Sequence, residues 1–236
     1  MFLFKGIKKM DIKENYKKVI GKIERACQRV KRDPKKIKLV GVCKNQPVEK
    51  IKELYNCGIK IMGENKTQEA ELHRSQLESL DIEWHFIGKL QKNKINKILV
   101  NFDFIQSVDG VKSLEHIHKR SSKETEVFIE INIGEEKNKS GFTVDGLKKA
   151  LNYISNLNRI KVIGLMTIPP FFEDSESVRP YFIKMRELKD EINSFKLPNF
   201  DIQHLSMGMS NDFEVAIEEG ATMVRIGTAL FGRRLL

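Results

Sequence analysis

The feature that most constrains this chain is an alternation of two periods. Short apolar runs rich in β-branched residues recur near 37–44, 59–64, 83–88, 103–108, 125–134, 160–168, 200–206 and 222–227. Between them lie stretches with apolar residues at helical spacing, near 47–57, 65–79, 91–100, 110–121, 143–156, 175–195 and 211–219. A period of two marks strands and a period of 3.6 marks amphipathic helices. Strands that alternate with helices form a parallel sheet, and eight of them in a row predict an α/β fold, a single (β/α)8 TIM barrel. An additional helical pattern precedes the first strand, with Ile12, Tyr16, Val19, Ile20, Ile23, Cys27 and Val30 on one face. Because the chain ends just after the eighth strand, this helix is expected to take the place of a final helix. Residues 1–35 would then be an N-terminal helical segment packed on the barrel, and 1–236 one domain. An open doubly wound sheet is the alternative. It would need a glycine-rich phosphate turn after the first strand, and Cys43-Lys44-Asn45-Gln46-Pro47 is not one.

Composition narrows the function classes. The net charge is +10, but lysines and arginines are scattered in ones and twos and form no dense arm, which argues against nucleic acid as a partner. Cys27, Cys43 and Cys57 show no CxxC spacing and no adjacent histidine pair, so neither a disulfide framework nor a metal site is expected, and a reducing cytoplasm fits. Near the N-terminus, Lys5, Lys8 and Lys9 interrupt Phe2, Leu3, Phe4 and Ile7, leaving no run long enough for a signal peptide or a membrane span.

In a barrel the active site is assembled at the carboxyl ends of the strands. The first strand closes on Lys44, in phase with Val40 and Val42 and so on the inward face. A lysine there is either a side chain snorkelling to solvent or a desolvated amine nucleophile able to take an aldehyde. The second strand ends at Glu64-Asn65, where Asn65 is either a ligand contact or a helix N-cap. His85 lies mid-strand and is expected to be a buried, hydrogen-bonded histidine. Asn132 falls near the ligand end of the fifth strand, ahead of a loop carrying Lys137, Lys139 and Ser140; Met166 is expected to line the core or a pocket.

The run His204-Leu205-Ser206-Met207-Gly208-Met209-Ser210-Asn211-Asp212 is small and hydroxylic where it opens a helix, a pattern that suits phosphate; the plain alternative is Ser210 or Asn211 as an ordinary N-cap. In the eighth strand Gly227 permits close backbone approach and Thr228 adds a donor. Phosphate held by the loops after strands seven and eight is a recurrent feature of such barrels. Arg225, in phase with Gly227, should point inward and needs an acceptor; a heteroaromatic ring nitrogen would serve. An amine for an aldehyde, two loops for a phosphate and a cation for a ring nitrogen together match the three functional groups of pyridoxal 5′-phosphate (PLP).

Longer stretches carry a family resemblance: LVGVCK, GIKIMGENKTQEA, WHFIGKLQKNK, SVDG, NKSGF, GLMTIPP and LSMGMSNDFEVAIEEGATMVRIGTALFG. With these the chain resembles the pyridoxal phosphate homeostasis proteins, whose barrel is similar to the N-terminal domain of alanine racemase, over nearly its whole length. The resemblance implies that Lys44 carries PLP as a covalent aldimine. It implies that Ser206, Ser210, Gly227 and Thr228 surround the phosphate, that Arg225 faces the pyridine nitrogen, and that Asn65 lies near the ring. Lys139 matches a loop lysine associated in the family with a second PLP. Cys43, where members usually have serine, and Asn45, where threonine is common, depart from the pattern without removing the amine. Cys43 is expected to point away from Lys44.

The resemblance also bears on catalysis. Racemases of this fold have a second domain that supplies a base and closes the site, and this chain ends at Leu236, shortly after Gly227. The expectation is a PLP carrier rather than an enzyme, with no catalytic residues of its own. It would act in the cytoplasm as a monomer, buffering the cofactor and supplying it to apo-enzymes. The competing reading is a small PLP-dependent racemase or lyase, for which no replacement acid or base is evident beyond a tyrosine such as Tyr55 or Tyr181.

Overall fold

A computed structural model describes residues 11–232. The Met1–Lys9 segment and the outer ends of the 1–236 and 1–35 units lie outside the described residues. In chain order the first elements are α1 (Ile12–Arg29), β1 (Lys38–Val42), α2 (Val48–Asn56), β2 (Ile61–Glu64), α3 (Thr67–Gln76) and β3 (Glu83–Phe86). They are followed by α4 (Ile95–Asn101), β4 (Phe104–Val108), α5 (Val111–Arg120), β5 (Thr125–Ile131), α6 (Val144–Ile154) and β6 (Ile160–Thr167). The last are α7 (Arg179–Ser194), β7 (Phe200–Ser206), α8 (Phe213–Glu218), β8 (Met223–Ile226) and α9 (Thr228–Phe231). The strands pair in chain order, all parallel, and β8 returns to β1, so the sheet is a closed eight-stranded barrel. The open-sheet alternative is thereby excluded.

The alternation read from the sequence sorts side chains into two cores. Val40, Phe128, Ile163, Met166 and Met223 form a small cluster inside the barrel. Their strand neighbours, with the apolar faces of the helices, form a much larger cluster outside it. Gly41 belongs to the outer layer: a Cβ there would lie 2.6 Å from Leu54 Cδ2, so its absence lets α2 settle onto β1. The inner cluster is small because polar chains fill much of the lumen.

α1 packs against α8, α9 and α2, in the place a final helix would occupy. Asp11 caps it by accepting from the Lys13 N–H, and Ile12, Val19, Ile23, Ala26 and Cys27 are its buried face. Burying each of the larger of these contributes roughly 2 kcal/mol. The dock is fixed at its edge by ion pairs from Lys22 to Glu214 and from Arg29 to Glu214 and Glu218.

Strand ends are shorter than the apolar runs suggest, for local reasons. β1 stops at Val42 because the chain turns at Lys44–Asn45, with Gln46 N–H donating to Cys43 C=O. β5 stops at Ile131 because the following loop folds back, Asn132 N–H donating to Phe142 C=O. α9 has no counterpart in the sequence reading. Among the described residues no helix is long and apolar enough to cross a membrane.

Candidate functional site

Lys44 lies just past the end of β1, half-buried, in the turn that leaves the strand. Val40 is in the inner cluster and Cys43 in the outer one, so the alternation puts Lys44 on the barrel side. Cys43 is fully buried, its sulfur 3.2 Å from Gly41 C=O and 3.4 Å from Met62 Sδ, and it points away from Lys44 as expected. Asn45 has φ 56°, in the left-handed region. Asparagine tolerates that conformation far better than a β-branched residue. The Asn45 N–H donates to Glu69 Oε2 at 2.8 Å, tying the turn to α3.

Arg225 does point into the barrel. It is 4 % exposed, and its guanidinium donates to Ser206 C=O and Ser206 Oγ, each at 2.7 Å, and to Thr167 C=O at 2.8 Å. Burial pushes its pKa down to about 10, while Asp212 and Glu130 favour the charged form. Those three acceptors orient the guanidinium; no hydrogen bond from its Nε to a described residue is present.

Beyond Ser206 the chain enters the hydroxylic loop. Here neither Ser210 nor Asn211 acts as an N-cap: Ser210 Oγ accepts from Ala229 N–H at 3.1 Å, and Asn211 Nδ2 donates to Phe172 C=O at 3.2 Å. Asp212 is the residue that closes the loop, accepting from Met209 N–H at 2.6 Å. Burial raises the Asp212 carboxyl above its ordinary range. The Ser210–Ala229 bond brings the loops after β7 and β8 together. The N–H groups of Ser210, Asn211, Gly227 and Thr228 donate to no described residue, so the two loops present a cluster of backbone donors suited to an anion. Gly227 has ordinary space beside it, with Val42 Cβ 3.5 Å from where its own Cβ would be.

Asn65 is half-buried at the end of β2, and its Oδ1 is buried without a hydrogen-bond partner. It is not the N-cap of α3, which is Lys66 and makes no side-chain cap. A Cβ on Gly88 would lie 2.1 Å from Asn65 C=O, so glycine is required for the β3 loop to pass this close. Behind Asn65, Glu64 is fully buried and accepts at 2.9 Å from His73 Nδ1 on α3.

The loop after β5 is held rather than free. Asn132 bonds to the Glu136 backbone through both its amide nitrogen and its amide oxygen. Lys139 pairs with Glu136 at 2.5 Å and donates to Pro169 C=O at 3.2 Å, strapping this loop to the one after β6.

Three inner residues escaped the sequence reading. Gln106, fully buried, accepts from Ser206 Oγ at 2.6 Å and donates to His85 Nδ1 at 2.5 Å. His85, buried as expected, is 2.7 Å from Glu83 through Nε2. Thr167 receives Arg225 through its carbonyl. Glu130, two residues beyond the inner Phe128, faces the barrel mouth; burial and nearby Asp109 raise its carboxyl, while Arg225 acts against that shift. Strand phase places Glu130 and Gln106 inward, but which inward residues meet is set by the shear between strands, which one sequence does not display.

The profile of the alanine racemase N-terminal domain family matches residues 11–234. A curated relative from Aquifex aeolicus (strain VF5), named pyridoxal phosphate homeostasis protein, is 47 % identical over 228 residues, covering 95 % of this chain and 99 % of the relative. This chain belongs to the pyridoxal phosphate homeostasis protein family. Within the same family of folds, PipY from Synechococcus elongatus PCC7942, solved with PLP bound, is 32 % identical and superposes with a TM-score of 0.78, covering 89 % of this chain and 100 % of PipY. An alanine racemase from Clostridium difficile 630, 18 % identical, shares the barrel with a TM-score of 0.66, and this chain spans 58 % of it.

Proposed function

We propose that this member of the pyridoxal phosphate homeostasis family binds PLP at the carboxyl end of its barrel and buffers and supplies the cofactor without robust amino-acid turnover. The observation that carries the reading is the convergence of three unlike groups on one strand-end surface. These are the Lys44 amine, the backbone donors around Ser210, Gly227 and Thr228, and the buried Arg225. The orphaned Asn65 Oδ1 adds an acceptor beside the same strand ends. PipY, a relative that covers nearly the whole chain, is solved with PLP bound.

When bound, PLP supplies an aldehyde that a primary amine captures reversibly, and a ring that withdraws electrons. Lys44 is the residue for that covalent attachment. Ser210 and the N–H groups of Gly227 and Thr228 hold the phosphate, and Ser206 serves chiefly by orienting Arg225. Arg225 donates toward the ring nitrogen. A guanidinium keeps its protons even at a pKa of about 10, so it would leave the ring nitrogen unprotonated.

Neither tyrosine considered as a base belongs to the inner cluster. Tyr55 and Tyr181 pack against the outer core, Tyr181 stacking on Phe172 at 5.8 Å. Glu130 is the inward carboxyl that a lyase or racemase reading would have to employ. Two assays separate the readings. The protein loaded with PLP is expected to reactivate an apo PLP enzyme and to leave the α-hydrogen of amino acids unexchanged in deuterium oxide. Rapid exchange that disappears in Glu130→Gln would replace the carrier with an enzyme.

A further inference from the structure

The barrel has a second mouth. At the amino-terminal ends of the strands, Lys38, Glu126, Lys161 and His204 surround a cavity of about 170 Å³ whose inner wall is Phe104, Phe128, Ile163 and Met223. Lys38 is the first residue of β1 and pairs in register with Met223, the first of β8; Glu126 is in register with Lys161. This mouth therefore lies roughly 20 Å of strand away from Lys44, at about 3.3 Å per residue.

Two ammoniums, Lys38 and Lys161, face two carboxylates, Glu83 and Glu126, but their pairing is uneven. Glu126 is taken by Lys161 at 2.9 Å and Glu83 by His85 at 2.7 Å. Lys38 makes no ion pair with a described residue, so its ammonium has hydrogen-bond donors to spare. His204 stands beside it, stacked on Phe128 with 12° between the rings. Its Nδ1 is 3.3 Å from Thr222 Oγ1, a hydroxyl that also accepts from Leu205 N–H at 3.0 Å. His204 Nε2 makes no hydrogen bond to a described residue and can donate to a ligand in the tautomer whose Nδ1 accepts the Thr222 proton. Lys38 also helps hold both His85 and His204 below the ordinary imidazole pKa, after burial as the main cause. Lys38 and His204 thus leave donors unused at the rim, while the depth of the cavity is apolar.

We propose that this cavity binds a short-chain aliphatic carboxylate, its head held by Lys38 and His204 and its tail by Phe104, Phe128, Ile163 and Met223. A dianion such as phosphate is disfavoured, because Glu83 and Glu126 stand nearby and the inner wall offers no further donors. Size agrees: an apolar cavity of about 150 Å³ accommodates benzene, so a four-carbon acid fits here.

The test is a titration of the cofactor-free protein with butyrate at constant ionic strength, following the imidazole resonances of His204 and His85 by NMR. A saturable shift with millimolar affinity is expected, larger at His204. Lys38→Met should weaken it about ten-fold, the loss of one charge-assisted bond. Lys38→Arg should keep it within a few-fold, and n-butanol should bind at least about ten-fold more weakly than butyrate. A shift that never saturates, an equal response to chloride, equal binding of butanol, or unchanged affinity in Lys38→Met would overturn the proposal. Should Lys38→Met fail to fold, the butanol comparison on the unaltered protein decides it alone. Because the measurement uses neither PLP nor Lys44, its failure leaves the proposed cofactor function standing, and the converse holds.

Discussion

Ser206 and Arg225 are joined twice, one guanidinium nitrogen donating to both the carbonyl and the hydroxyl oxygen of Ser206 at 2.7 Å. The Ser206 proton is thereby directed to Gln106 Oε1, which fixes the Gln106 amide so that its nitrogen donates to His85 Nδ1. His85 must then be neutral with its proton on Nε2, facing Glu83. One orientation of hydrogen bonds thus runs from the carboxyl end of the lumen to the opposite mouth. Gln106→Leu would leave the Ser206 hydroxyl and His85 Nδ1 buried without that partner. A loss of about 2–3 kcal/mol in urea unfolding is expected, whereas a loss near zero would show that the relay is not needed for stability.

Two glycines separate fold from function. Gly208 has φ 92°, and a Cβ on it would fall 2.5 Å from Ala216 Cβ and 2.9 Å from Phe213 Cα. Gly208→Ala should cost about 2 kcal/mol or more and lower Tm by about 4–8 °C. Gly227 has φ −113° and room for a methyl group. Gly227→Ala should therefore leave Tm nearly unchanged while weakening PLP binding, measured by fluorescence titration. Unchanged affinity would mean that no ligand approaches Gly227 closely.

Ser210 offers a phosphate-specific test. Its hydroxyl oxygen accepts from Ala229 N–H, leaving its proton to donate outward. Ser210→Ala should weaken PLP about five-fold, the value of roughly one net hydrogen bond. Pyridoxal, which lacks the phosphate, should bind the variant and the unaltered protein alike. An equal loss for both ligands would place Ser210 elsewhere in the site.

Stability should depend on histidine protonation. Burial is the main cause that lowers the pKa of both His85 and His204 below 6.5. A histidine depressed in the folded state binds more protons when unfolded, so stability rises with pH across the window from the folded pKa up to the unfolded one. It is fully present above about 6.5 and is lost as pH falls below that, by at most about 1.4 kcal/mol per pH unit per group. The carboxyls raised by burial, Glu64, Glu130 and Asp212, oppose this at lower pH. Urea unfolding at about pH 7 and about pH 5.5 should show a smaller pH-dependent loss in His85→Gln than in the unaltered protein. Equal losses in the two proteins would remove His85 from this account.

The barrel was legible because its strands and helices differ in period, and because a strand's inward residues follow from counting by two. Lys44, Arg225 and Gly227 could be placed at the carboxyl ends on that basis alone. Partnerships across the lumen were not legible. Ser206 meets Gln106 from β4, a hundred positions away in the chain, and nothing in either strand's pattern selects the other. Ser210 and Asn211 read as helix caps locally, but tertiary partners, Ala229 and Phe172, claim their side chains instead. The floor cavity was hidden for the same reason, since Lys38, Lys161 and His204 each look like ordinary strand residues until the barrel closes.

The proposed cofactor function rests on Lys44 as the attachment point for PLP. Incubation with PLP, reduction with borohydride and peptide mass mapping test it most directly. A single reduced adduct on Lys44 is expected, absent in Lys44→Ala, while Lys44→Ala retains the fold. An adduct that persists in Lys44→Ala at other lysines, or no adduct at Lys44 in the unaltered protein, would contradict it.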